Sequence, residues 1–177
     1  MENLKTFLRL GMTCIAFVSI VLFSGCVKKM KTSTYEDYTN NASISLSYPE
    51  DSKCVYSTDE KDICTSTEEA VLTSDNYKIA WDIVSSSYDG DFEKVKDKAF
   101  AKDEGKEVEY NSIRGVSYYY SPYVRYNVCL PINDKCYIEF HIYSTNESHD
   151  RKHVDEVFNS EEVQNILKTV SVKKFIN

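Results

Sequence analysis

The chain has 177 residues, 42% hydrophobic and 28% charged, with 28 acidic residues against 21 basic ones and a formal net charge of −7. That balance belongs to a folded protein with one sizeable core, not to a low-complexity or fibrous chain. A net acidic surface repels phosphate backbones, which excludes nucleic acid as an expected partner.

Residues 1–25 read as an export signal. Lys5 and Arg9 supply a short positive segment, and residues 10–23 are apolar or small and carry no charge. A membrane-spanning helix needs about 20 apolar residues, so this length suits the core of a signal peptide. Small residues follow, and the run Leu22-Phe23-Ser24-Gly25-Cys26 resembles the lipobox of bacterial prolipoproteins, with Phe23 standing where leucine is preferred. The resemblance implies cleavage before Cys26, whose thiol takes a diacylglyceryl group. Two or more acyl chains at about 0.8 kcal/mol per buried methylene hold a protein on a membrane, whereas one is marginal. The competing readings are an ordinary secretory signal with an incidental cysteine, or an uncleaved anchor helix.

Removing Glu2, Lys5 and Arg9 with the signal leaves 152 residues, 19 basic and 27 acidic, and a net charge of −8. Cys26 is spent on lipid, and Cys54, Cys64, Cys129 and Cys136 remain. An exported domain with four cysteines is expected to form two disulfides. Three pairings exist; proximity favours Cys54–Cys64 and Cys129–Cys136, closing loops of 11 and 8 residues. Each would stabilise by about 2.5–3 kcal/mol in the chain-entropy model. The alternative, a zinc site, lacks paired CxxC spacing and a histidine close in sequence.

Residues 26–42 are mostly polar and are expected to be a tether. Lys28, Lys29 and Lys31 beside the lipid can each touch acidic headgroups for about 1 kcal/mol, or simply stay solvated. A single domain is expected over 43–177. Residues 44–48 alternate and stop at Pro49, a strand. The stretch 54–64 reads as polar and irregular. Residues 69–73 and 77–85 form an expected hairpin through Ser74-Asp75-Asn76, with Ile79, Trp81 and Ile83 on one face.

A helix is expected next, capped by Asp91, with Phe92, Val95, Ala99 and Phe100 as its stripe and Gly105 placed for a left-handed cap. Strands follow at 107–110, 114–120 and 123–130. Residues 136–143 alternate, with Ile138, Phe140 and Ile142 on one side and Tyr137, Glu139, His141 and Tyr143 on the other. Pairing Val124, Tyr126, Val128 and Leu130 with Ile142, Phe140, Ile138 and Cys136 aligns the apolar faces. It also sets Cys129 on the opposite face from Cys136. A bulge near Pro131, which cannot donate to the ladder, is the expected way to reconcile that disulfide. The chain is expected to close on helix, with Val154, Val157 and Phe158, a break at Asn159-Ser160, then Val163, Ile166, Leu167 and Val170. The class is α+β, an antiparallel sheet flanked by helices in an α/β/α sandwich.

The strings "ISLSYP", "YKIAWDIV", "SIRGVSYYY", "YNVCL…CYIEFHIYS" and "NSEEVQNILKTV", in that order, resemble the PsbP-like superfamily. That fold takes its name from an extrinsic photosystem II subunit and is shared with a Ran-binding import factor and several bacterial lipoproteins. The resemblance covers about residues 43–172. It implies a binding or scaffolding domain without common catalytic residues, and the four cysteines lie outside its usual pattern. Fold does not carry function, so no photosynthetic or nuclear role follows.

Candidate constellations resolve into ordinary structural roles. His149 and His153 stand at i, i+4 but without HExxH, as at a solvated helix start. Asp89-Gly90-Asp91 lacks the remaining oxygens of a calcium loop and reads as a turn and cap. GxSxG is absent. His141 is expected to face solvent or a covering helix, and Glu107 and Glu109 to keep an edge strand soluble. No catalytic residue, metal or cofactor is expected. All 14 tyrosines follow the signal. Tyr118, Tyr119, Tyr120, Tyr123 and Tyr126 crowd two neighbouring strands and form the candidate binding surface.

The expectation is a lipid-anchored, extracytoplasmic, non-enzymatic binding module that contacts an envelope or extracellular protein. The alternative is a protective lipoprotein that excludes a toxin or phage. Palmitate labelling of the expressed full chain checks the address: label is expected on the wild type and is expected to vanish in Cys26→Ser.

Overall fold

The computed structural model describes residues 28–37, 42–56, 70–85, 91–102, 104–133, 136–146 and 150–174. The expected signal, Cys26, Cys64, Asp89, Gly90 and His149 lie outside the described residues. Among those described, ten strands form two antiparallel sheets and three α-helices flank them.

The small sheet has the order β1 (Met30–Asp37), β2 (Ala42–Pro49), β10 (Ser171–Lys174). The large sheet has seven strands. In spatial order they are β3 (Lys53–Tyr56), β4 (Ala70–Thr73), β5 (Tyr77–Ser85), β9 (Cys136–Ser144), β8 (Arg125–Asn133), β7 (Ile113–Tyr120) and β6 (Lys106–Tyr110). Helix α1 (Phe92–Phe100) joins β5 to β6, and α2 (Arg151–Phe158) and α3 (Glu161–Lys168) follow β9.

The main core forms where one face of the large sheet meets α2, α3 and β2. Trp81, Ile79, Phe140, Ile138, Ile142 and Leu130 supply the sheet side, all of them buried. Val154 and Phe158 close it from α2, Val163, Ile166 and Leu167 from α3, and Ile44 and Leu46 from β2. Each such side chain contributes about 1.5–3 kcal/mol by leaving water. Phe158 stacks on Tyr126 at 4.2 Å between centroids. The opposite face carries a smaller cluster, where Ala99, Val95 and Phe92 of α1 cover Val116, Cys129 and Tyr137. Helices thus lie on both faces of the large sheet, consistent with a general α/β/α sandwich.

The caps fall where the sequence puts them. Asp91 Oδ1 accepts from Lys94 N–H at 3.0 Å, and Ser160 Oγ from Val163 N–H at 3.3 Å. Asn111 and Ser112 turn the β6–β7 hairpin with φ of 48° and 65°. That is the left-handed pair a tight hairpin needs, and asparagine tolerates it.

Several expectations are corrected. Residues 30–37, read as part of a tether, pair along their length with β2, so the boundary at residue 43 cuts through a sheet. This strand is held by backbone bonds and a hydroxyl ladder, Thr32 to Ser47 at 2.8 Å and Thr34 to Ser45 at 2.9 Å, and so has no apolar period to read. Lys28 Nζ also meets Glu162 Oε2 of α3 at 2.8 Å. Residues 53–56, read as irregular, form β3, and the chain ends its described part on β10 rather than on helix. Helix α1 closes at Ala101 in right-handed geometry. Gly105 is needed for space instead: a Cβ there would lie 2.8 Å from the Ala99 carbonyl carbon.

The β8–β9 register is two residues from the expected one, pairing Tyr126 with Ile142, Val128 with Phe140 and Leu130 with Ile138. Because the slip is even, the faces are those expected, and the irregularity falls between Pro131 and Asn133. It does not bring Cys129 to Cys136. Cys129 pairs with Glu139 in the ladder and belongs to the α1-side cluster, while Cys136 lies in the main core. The expected Cys129–Cys136 disulfide is absent, and Cys129 is a buried free thiol. Cys54 is half-buried on β3, opposite Leu72.

Gly115 lies against the Cys129 carbonyl oxygen and the Leu130 side chain, where an added Cβ would collide with both. Gly115→Val is expected to destabilise the protein by about 2–3 kcal/mol through overpacking, measured as a lower urea midpoint with an unchanged slope.

Candidate functional site

The face of the large sheet turned toward α1 is not uniformly apolar. Period-two alternation puts Glu139 and His141 of β9 on it, and antiparallel pairing sets Asp82 of β5 directly across from Glu139. On the other flank, Cys129 pairs with Glu139, Asn127 with His141, and Tyr118 of β7 with Asn127. Residues far apart in sequence thus meet on one patch.

Glu139 is its hub. Its Oε1 accepts from Asn127 Nδ2 at 2.6 Å and from the Tyr118 hydroxyl at 3.1 Å, with Cys129 Sγ at 3.7 Å. Its Oε2 lies 3.4 Å from His141 Nε2. That spacing permits ionic contact, but the two atoms are not aligned for a hydrogen bond, and both ring nitrogens of His141 lack a hydrogen-bond partner. The His141 side chain is only 7% exposed. One donor atom from each of Asp82, Glu139 and His141 lies within 4.8 Å of the others.

Burial pushes the Glu139 carboxyl up, but His141, the charge of Arg125 and the Tyr118 hydroxyl outweigh it and hold the group below its ordinary range. The Tyr118 hydroxyl is pushed up, first by burial and then by the neighbouring Cys129 and Glu139. Burial, followed by Glu139, raises the Cys129 thiol well above its usual value. The thiol therefore stays protonated and is a poor nucleophile.

Glu139 and Tyr118 open onto a cleft of about 540 Å³ between α1 and the turn after β7, with Lys98 and Lys102 on its rim. That turn is a short 3-10 segment, Ser121–Tyr123, closed by Val124 at φ 49°. A left-handed β-branched residue is strained, and the surroundings must hold it there. The turn presents Tyr123, 64% exposed, beside Tyr120 at 5.6 Å between ring centroids. Arg125 joins this aromatic mouth to the polar floor. Its guanidinium carbon lies 5.4 Å and 5.2 Å from the centroids of Tyr120 and Tyr123. Its Nε donates to Asn127 Oδ1 at 2.8 Å, and an Nη donates to the Tyr143 hydroxyl at 2.7 Å.

The five expected surface tyrosines therefore divide. Tyr118, Tyr119, Tyr120 and Tyr123 all line the cleft. Tyr119 packs edge-on against Tyr126 and carries Arg151 over its ring at 4.5 Å. Tyr126 is buried in the main core, with its hydroxyl donating to Asp155 at 2.7 Å, and leaves the binding surface. His141, expected at solvent or under a helix, is buried. Glu107 and Glu109 sit exposed on β6 near Lys96 and Arg114. They line a larger depression of about 1050 Å³ in which Asp91, Glu93, Glu107 and Glu109 outnumber Lys96 and Arg114. His153 turns back onto Asp150, the cap of α2, at 2.8 Å.

Asp82, Arg125 and Asn127 were not among the sequence candidates. The available signal was the polar side of residues 136–143, since a strand flanked by strands on both sides has no edge to explain a buried charge.

No protein-family model matches the chain, and no curated protein or solved structure is significantly similar to it. The class is the one its elements define: a mixed α+β protein with two antiparallel sheets flanked by three described helices. What the site can do follows from its groups: two carboxylates and an imidazole below, a guanidinium among tyrosine rings above.

Asn127→Ala removes the shortest hydrogen bond to a buried carboxylate and is expected to cost about 2 kcal/mol. The exposed Tyr123→Ala is expected to stay within about 0.5 kcal/mol of wild type, both read by urea unfolding.

Proposed function

We propose that this protein is an exported, lipid-anchored binding module that grips an envelope or extracellular protein at the mouth formed by Tyr120, Tyr123 and Arg125. The observation that carries the reading is the 64% exposure of Tyr123 beside a guanidinium already oriented by Asn127 and Tyr143. Tyrosine and arginine bring contact area, hydrogen bonds and charge at low ordering cost, and they are enriched where proteins bind one another. Lys98, Lys102 and Arg125 outnumber Glu104 and Glu139 around the cleft, and Glu104 is paired with Arg151, which favours a partner segment that carries a carboxylate beside an apolar or aromatic side chain. The signal-like residues 1–25 and Cys26 support a place on the outer face of the cell membrane.

The succession of an early strand, a hairpin, an amphipathic helix, a strand meander and paired terminal helices supports the PsbP-like reading of the fold.

Photocrosslinking tests the mouth. A benzoylphenylalanine at position 123 of the full anchored chain, expressed in bacterial cells, is expected to trap one protein in a yield that Arg125→Ala cuts at least tenfold. The same probe at Lys173, exposed on β10, is expected to trap none. Equal yields at both positions would remove the reading. A trapped resident envelope protein supports the binding module, while trapping only of an added toxin or phage protein moves the function to protection.

A further inference from the structure

Behind Glu139, the one acidic group of the cleft floor, lies a chemistry that partner binding at the mouth does not use. Asp82 and Glu139 are cross-strand neighbours, and His141 follows Glu139 on the same face of β9. Opposite His141 on β5 stands Ala80, whose small side chain leaves the imidazole room. From these residues we infer a divalent metal site in which Asp82, Glu139 and His141 are the protein ligands and the ion is of the zinc or manganese kind.

Three observations converge on it. First, the three donor atoms already lie within 4.8 Å of one another. Ligands around a tetrahedral ion with bonds of about 2 Å stand roughly 3.3 Å apart, so side-chain adjustments of about 1.5 Å or less complete the set. Second, Glu139 is held as a metal-binding carboxylate is held. Asn127 and Tyr118 occupy Oε1, which fixes the group and turns Oε2 toward His141. Donors behind a ligand that lock its orientation are the usual support of a metal centre. Third, the His141 side chain is 93% buried, yet neither ring nitrogen has a hydrogen-bond partner. A buried imidazole in that condition has given up its hydration without a hydrogen bond in return, and an ion can take the missing partner's place.

One imidazole nitrogen with two carboxylates selects the ion. Calcium and magnesium take oxygen almost exclusively, whereas zinc and manganese accept this mixture. Two carboxylates face the imidazole, while Arg125, whose charge also reaches Glu139, is oriented away by Asn127, Tyr143 and the tyrosine rings. The ligands lie on two adjacent strands, β5 and β9, inside a seven-stranded sheet, so they are held by backbone pairing. The proposal concerns ion binding alone and stands independently of any partner at the tyrosine mouth.

The test uses the full-length, untagged chain in detergent, stripped with chelator and titrated with zinc, manganese, calcium or magnesium by calorimetry. One zinc or manganese ion per chain is expected, with micromolar or tighter affinity and at least tenfold weaker binding of calcium and magnesium. Asp82→Asn and Glu139→Gln keep side-chain size and are each expected to weaken zinc binding at least tenfold, with circular dichroism unchanged. His141→Asn is expected to do the same and to abolish the visible bands of bound cobalt. Tyr123→Ala and the double variant His149→Ala/His153→Ala are expected to bind as wild type. Absence of saturable binding overturns the inference. So does zinc binding that persists in Asp82→Asn and Glu139→Gln, since the ion would then sit elsewhere. A nitrogen-15 imidazole spectrum with His141 doubly protonated and unmoved by zinc also overturns it, because a proton would then do the neutralising.

Discussion

Strand β9 lies in the middle of the large sheet with its two faces in unlike surroundings. Ile138, Phe140 and Ile142 enter the main core, while Tyr137, Glu139 and His141 lie on the opposite face, Tyr137 and Glu139 toward the cleft. Since side chains alternate with every residue, placing the first set in the main core turns the second onto the opposite face, which is covered as well. A central strand of a covered sheet thus carries a carboxylate and an imidazole into the protein, and neighbouring groups must answer their charge and hydrogen-bonding needs. Asn127, Tyr118, Asp82 and Arg125 are the groups that the register supplies.

That arrangement links the interior to the surface. Arg125 is tied to the polar floor through Asn127 and Tyr143, and its flat face lies among the rings of Tyr120 and Tyr123. Two hydrogen bonds, from Asn127 to Glu139 and from Arg125 to Asn127, connect the buried carboxylate with the aromatic mouth. The left-handed Val124 sits between Tyr123 and Arg125, so the two residues leave the turn in directions an ordinary β-turn would not give. Strain of this kind persists where surrounding packing holds it, and Val124 packs against the main core.

The small sheet shows a different economy. β1 and β10 flank β2, and most of their side chains lie in or near solvent. They hold through backbone pairing, the threonine–serine ladder and the stacking of Tyr35 on Tyr56 at 5.9 Å. Thr169 at the end of α3 donates to the Ser47 carbonyl and accepts from the Ser47 N–H, joining that helix to the middle of the sheet.

Much of the architecture was legible in the chain because it follows local rules. Apolar residues at two- and four-residue spacings placed β2, the β4–β5 hairpin, α1, the β6–β9 meander and the two last helices. Asp91 and Ser160 marked helix starts, because their side chains reach the backbone three residues on. The polar strand β1, the short β3 and β10, and the free state of Cys129 were not legible, because pairing partners and facing direction depend on residues distant in sequence. The site is the clearest case. Alternation alone put Glu139 and His141 on one side of a strand. Only the tertiary register set Asp82 across from Glu139, placed Asn127 and Tyr118 behind it, buried Tyr126 and left Tyr123 exposed, since the side chain that answers a buried charge is chosen by which strands lie next to one another.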